Sequence, residues 1–142
     1  MHYILRSKRV VLPGGKIAHA AVEIENGVIT NIFEGKAMFE HGYGNGKATG
    51  IPLIDCGESA LLPGFVDTHA HINEPGRTEW EGFQTATRAA AAGGITTVID
   101  MPLNSIPATT TLAALREKEK SARENCTIDY GFWGGVIPGN QN

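Results

Sequence analysis

Short runs of alternating apolar and polar residues fill the first third of the chain. "YILRSKRVVL" (residues 3–12) and "AAVEIENGVITNIF" (20–33) are rich in β-branched residues and are separated by the turn "PGGK", while Asn26-Gly27 is a strong hairpin signal. This pattern predicts a small antiparallel β unit. From Gly35 to Gly50 the periodicity disappears, and "HGYGNGKATG" (41–50) has the composition of a flexible loop. Its glycines do not have the GxxxxGK[ST] spacing of a phosphate loop, so the loop reading stands.

A different rhythm begins near Ile51. "IPLIDC" and "ALLPGFVDTHAHI" read as strands, and period-two alternation places Phe65, Asp67, His69 and His71 on one face. "TEWEGFQTATRAAAAGG" (78–94) reads as a helix, with Thr78 and Glu81 at capping-box spacing and Gly93-Gly94 as its stop. Trp80, Phe83, Ala86, Thr87 and Ala90 would form its inward face. "ITTVIDMP" opens with an unbroken β-branched run of the kind found in strands covered on both faces. "TLAALREKEKSAREN" (111–125) is a second helix, with Glu119 and Arg123 four residues apart, and "TIDYGFWGGVIPG" is a third strand. The order β-α-β-α-β predicts three parallel strands, at about 62–71, 95–101 and 127–136, joined by right-handed helical crossovers.

Composition narrows the function classes. With 12 Lys+Arg against 15 Asp+Glu and a net charge of -3, the chain has no basic stripe, which argues against nucleic acid or an anionic membrane as partner. No apolar run has the length of a membrane span or a signal peptide. Cys56 and Cys126 lie far apart without CxxC spacing, which fits neither a disulfide framework nor a zinc ribbon. A soluble protein of a reducing intracellular compartment, acting on a small neutral or weakly anionic molecule, is the expectation.

Two of the five histidines, His69 and His71, are separated by one residue. On a strand such residues project from the same side, about 6.5–7 Å apart along the backbone. Their imidazoles can therefore lean onto one ion at metal–nitrogen distances of about 2.0–2.1 Å. Both lie at a strand end just before a Gly/Pro loop, where sites of α/β proteins collect. On spacing alone the pair is open between metal ligands and ordinary strand residues. Asp67 could orient a ligand or anchor the strand end, and Asp100 could serve as a cap. Arg77 is open between substrate contact and solvated loop residue.

The string around the pair carries more information. "LLPGFVDTHAHINEPGRTEWEGFQTATRAAAAGGITTVIDMPLN" closely resembles the first β/α unit of cyclic amidohydrolases, the family that contains dihydroorotase, hydantoinase and allantoinase. The resemblance extends through "LIDCGESALLPGFVDTHAH" and the amino-terminal β unit. It implies an α/β fold: an incomplete (β/α)8 TIM-type barrel, represented by its first three strands and two helices, preceded by the small β unit. Residues 1–58 would belong to a β-sandwich domain, with the Gly-rich loop at 41–50, and residues 59–142 to the barrel. It also implies a divalent cofactor, a two-ion zinc site in the full-length protein, with His69 and His71 ligating one ion.

Two positions bear on the substrate. Dihydroorotases of the family resemble one another in having an arginine two residues after the second histidine, where this chain has Asn73. A neutral amide cannot replace a guanidinium in bidentate carboxylate recognition. "MPLN" also shifts the amide that follows Met-Pro to Asn104. Both departures resemble the allantoinase branch, whose substrate allantoin is a hydantoin ring with a ureido arm, a neutral molecule suited to amide donors and acceptors. Asn73 and Asn104 are accordingly candidate substrate contacts, with an ordinary turn role open for each. A hydantoinase or dihydropyrimidinase activity is the alternative, as is a noncatalytic relative.

A (β/α)8 barrel takes about 250 residues. The resemblance places a bridging carboxylated lysine, two further histidines and the general-base aspartate outside residues 1–142. No catalytic residue is expected in this chain. It should represent an amino-terminal portion, inactive in isolation, of a full-length protein expected to be a homo-oligomer.

Overall fold

The computed structural model describes residues 1–44 and 50–141, arranged as two compact units, Met1–Pro63 and a second beginning at Gly64. The division falls between Pro63 and Gly64, five residues beyond the boundary after residue 58 that the resemblance implies.

The first unit is built on β1 (His2–Val11), β2 (Ile17–Glu25) and β3 (Val28–Glu34). β1 and β2 pair antiparallel, as do β2 and β3. Asn26 and Gly27 link β2 to β3 with φ of 52° and 83°, the backbone that favours Asn-Gly in two-residue hairpins. The unit is nevertheless mixed rather than purely antiparallel. β4 (Leu53–Asp55) and β5 (Ala60–Leu61) both pair parallel with β1. Leu61 packs against the buried cluster of Val10, Leu12, Ala20 and Val22, which draws residues 60–61 into this sheet. The strand expected from residue 62 therefore starts later, at Phe65. A short helix, α1 (Gly35–Glu40), occupies the start of the segment whose lost periodicity predicts only loop. It buries Met38 with Ile4, Ala21 and Tyr43, and this tertiary anchor substitutes for the missing repeat. Of the predicted loop at 41–50, residues 45–49 lie outside the described residues.

The second unit contains a parallel sheet in the order β6 (Phe65–Ala70), β7 (Ile95–Asp100), β8 (Asp129–Phe132). The crossovers are α2 (Phe83–Ala92) and α3 (Leu112–Asn125). Ile72, Phe83, Val98 and Ala122 form its core, with Ala86 and Ala90 of α2 packed against them. Register places Ala70, Asp100 and Phe132 level at the carboxyl end of the sheet. β7 is not covered equally on its two faces: Val98 and Asp100 are buried, whereas Thr97 and Ile99 are half-buried.

α2 begins five residues after its predicted start. Residues 73–81 fold back instead, with Asn73 N–H donating to Glu81 O, Arg77 N–H to Asn73 O, and Trp80 N–H to Arg77 O. Glu81 O, which a helix from Thr78 would offer to the Thr85 N–H, is thus taken by Asn73, and Trp80 lies outside the helix, 67% exposed under Arg77. Glu74 replaces the capping box, its Oε2 accepting from Phe83 N at 2.9 Å. Gly82 permits this closure, because a Cβ there would lie 2.9 Å from Thr78 Cγ2 and 3.1 Å from Glu74 Oε2. α3 matches its sequence signals more closely: Thr111 Oγ1 caps the Ala114 N–H and Glu119 pairs with Arg123. No helix among the described residues is long and apolar enough to cross a membrane.

Candidate metal centre

The site is assembled at the carboxyl end of β6. His69 is in the strand and His71 follows it, both exposed, with ring centroids 5.2 Å apart and planes inclined at 58°. Two imidazoles bound to one tetrahedral ion at about 2.0–2.1 Å would place their centroids about 5 Å apart. The observed centroid separation therefore suits a shared ion. Neither ring makes a hydrogen bond among the described residues, so its nitrogens remain available as donors to metal. The fit is partial in ligand count, since the described residues contain no cluster of three or more His, Cys, Asp or Glu side chains able to hold an ion.

The backbone around the pair is gripped at every second residue. Thr68 O accepts from the indole Nε1 of Trp133 at 2.9 Å, Ala70 O from Met101 N at 2.8 Å, and Ile72 N donates to Asp100 Oδ1 at 2.7 Å. Asp67 Oδ1 accepts from His69 N at 3.0 Å, so it anchors the strand locally.

Asp100 is not a cap. It is buried and forms an ion pair with Lys118 of α3, whose Nζ also donates to Met101 O at 3.1 Å. Burial pushes the Asp100 carboxyl above its ordinary range, opposed by Lys118 and the Ile72 N–H. Lys118 was not apparent as a site residue in the "LREKEK" run, which reads as a solvated charged face. One signal could have found it: Ala114, Lys118 and Ala122 lie at four-residue spacing, and all three are buried.

The two asparagines occupy different environments. Asn73 is buried and its Oδ1 has no hydrogen-bond partner among the described residues. Asn104 lies exposed on the loop after β7 with φ of 76°, a left-handed conformation that asparagine tolerates. Arg77 stacks 5.1 Å above the Trp80 ring.

The amidohydrolase family model matches residues 60–141, which include the histidine pair and the whole parallel sheet. The chain belongs to the amidohydrolase family. It is 53% identical over 137 residues to the allantoinase of Streptomyces avermitilis, a match covering 96% of this chain and 29% of that protein. The allantoinase of Arabidopsis thaliana is 44% identical over 139 residues, covering 98% and 26% respectively. Among solved structures, the L-hydantoinase (dihydropyrimidinase) of Arthrobacter aurescens superposes with a TM-score of 0.81 at 32% identity, over 99% of this chain and 29% of that one. The chain thus spans less than a third of the length of these amidohydrolase relatives. Its mixed α/β fold resembles the corresponding part of the hydantoinase.

Proposed function

We propose that this chain forms part of a metal-dependent cyclic amidohydrolase that opens allantoin to allantoate, with His69 and His71 as ligands of a divalent ion. Residues from Gly64 on would be the first three strands and two helices of a (β/α)8 barrel, and the first unit part of a β-sandwich domain. The observation that carries the reading is the histidine pair at the carboxyl end of β6, spaced for one ion. When bound, the ion, in a two-ion zinc site, would polarise the ring carbonyl and activate water.

In the reaction, water adds across one ring amide. Its oxygen joins the carbonyl carbon, which becomes a carboxylate with loss of a proton, and the C–N bond breaks so that nitrogen leaves as the terminal NH2 of a ureido group. His69 and His71 each present an imidazole ring at the carboxyl end of β6. Catalytic zinc usually takes three protein ligands plus water, so these two supply only part of the donor set, and the rest must come from residues other than those described. Asn73 and Asn104 are proposed substrate contacts. The unpartnered Oδ1 of Asn73 supports this, because a buried acceptor without a donor is unfavourable until one is supplied. Position 73 also carries no charge for a substrate carboxylate.

The test is the full-length protein, supplied with zinc, assayed on allantoin, dihydroorotate, unsubstituted hydantoin and dihydrouracil. Allantoin should have the highest kcat/KM. Preference for dihydroorotate would contradict the reading, and preference for hydantoin or dihydrouracil would favour the hydantoinase alternative, which the structural likeness to L-hydantoinase supports.

A further inference from the structure

We infer that Asp100, held in place by Lys118, is a positioning residue for the metal ligands, acting through the Ile72 backbone on His71. The inference rests on the assignment of His69 and His71 as metal ligands. The two imidazoles make no hydrogen bond among the described residues, so their aim is set by the backbone that carries them. Four bonds among the described residues fix that backbone, at Thr68 O, His69 N, Ala70 O and Ile72 N. The first and third come from a half-exposed tryptophan and a regular neighbour-strand amide, and the second is a local bond to the Asp67 carboxylate two residues earlier on the same strand. Only the fourth uses a charged side chain from another strand, and that charge is buried with its counter-ion.

Burying an ion pair is a poor way to gain stability, because desolvation offsets much of the attraction and a well-packed apolar pair often serves as well. It is a good way to hold a group in one place. The Asp100 carboxylate is constrained from opposite sides: Oδ1 receives the Ile72 N–H at 2.7 Å and Oδ2 meets the Lys118 ammonium. Lys118 is itself fixed by Met101 O at 3.1 Å and lies 5.9 Å from the Phe132 ring centroid. A rigid helix is thereby connected, through two side chains, to the peptide immediately after His71. The adjacent residue, Ile72, is buried in the core, so a shift of its amide would tilt His71 away from His69.

Two double variants of the full-length protein isolate the effect. Asp100→Asn/Lys118→Met removes both charges but keeps an amide oxygen for the Ile72 N–H. Asp100→Leu/Lys118→Met removes both charges and that acceptor. Metal affinity is read by titrating apo-protein with cobalt(II) and following its d–d absorption, and the stability of each apo-protein by urea unfolding. Outer-shell partners of metal ligands typically change affinity by about 10–100-fold. The Asn/Met variant should bind cobalt within about threefold of wild type, and the Leu/Met variant at least about tenfold more weakly, with shifted bands. Equal affinity and identical bands for the two variants would overturn the inference. If the Leu/Met protein does not fold, Asp100→Ser/Lys118→Met, whose hydroxyl is too short to reach the same amide, takes its place with the same two outcomes. Cobalt binding unchanged in His69→Ala/His71→Ala would overturn the metal assignment itself, and with it this inference, whereas binding lost there but equal in the two Asp100 variants would overturn the inference alone.

Discussion

Lys118 and Asp100 form an ion pair in which each side chain is only 1% exposed, bringing α3 to the last residue of β7. Breaking such a pair from one side leaves an uncompensated buried charge and costs about 3–5 kcal/mol, whereas neutralising both partners together is often nearly harmless. Lys118→Met alone should therefore lower stability by several kcal/mol. Asp100→Asn/Lys118→Met should restore most of the loss, as judged from urea unfolding midpoints at constant pH.

The amino end of α2 depends on Glu74, a residue nine positions before the amide it caps. Oε2 accepts from Phe83 N at 2.9 Å and Oε1 from Asn125 Nδ2 at 3.3 Å, which also ties α2 to the end of α3. Loss of an N-cap acceptor costs about 1 kcal/mol, within a range of about 0.5–2. Glu74→Ala should fall in that range by denaturant unfolding, and Glu74→Gln, which keeps one acceptor oxygen, should lose less than half as much.

Cys126 offers a pH-dependent test of the second unit's packing. Burial, reinforced by the carboxylates of Glu74 and Asp100, pushes its thiol up to about 11. The folded state then holds the thiol proton over a range in which the unfolded chain has lost it, so stability should decline as pH rises from about 9 toward 11. Cys126→Ser should flatten that decline. At pH 8 the folded protein should also alkylate at Cys126 far more slowly than the same protein in urea, since the thiolate is the reactive form, and equal rates would contradict the burial.

Much of the candidate site was legible because it follows local rules. His69 and His71 share one side of a strand by period two, and the β-α-β-α-β order follows from hydrophobic runs separated by helical spacing. The start of α2 was not legible: Thr78 and Glu81 have capping-box spacing, but hydrogen bonds from Asn73 and Arg77 claim that segment for a loop. α1 was hidden for a related reason, since six residues followed by a glycine-rich stretch carry too little periodicity, and burial of Met38 against Ile4 and Ala21 holds it. Lys118 shows the same limit. Charged neighbours on both sides make it read as solvated, and only its contact with Asp100, eighteen positions earlier, reveals it as a core residue.

The most direct test of the central claim is zinc retention by the full-length protein. Purified protein is loaded with zinc, dialysed against metal-free buffer, and compared with His69→Ala/His71→Ala for bound metal per chain and for allantoate formed from allantoin. Catalytic zinc usually rests on three protein ligands, so losing two should strip the ion bound by this pair. The expected result is about two zinc ions per chain and allantoate formation in the wild type, against at most about one zinc ion and at least about tenfold slower allantoate formation in the double variant. Equal zinc content and equal turnover in the two proteins would contradict the assignment.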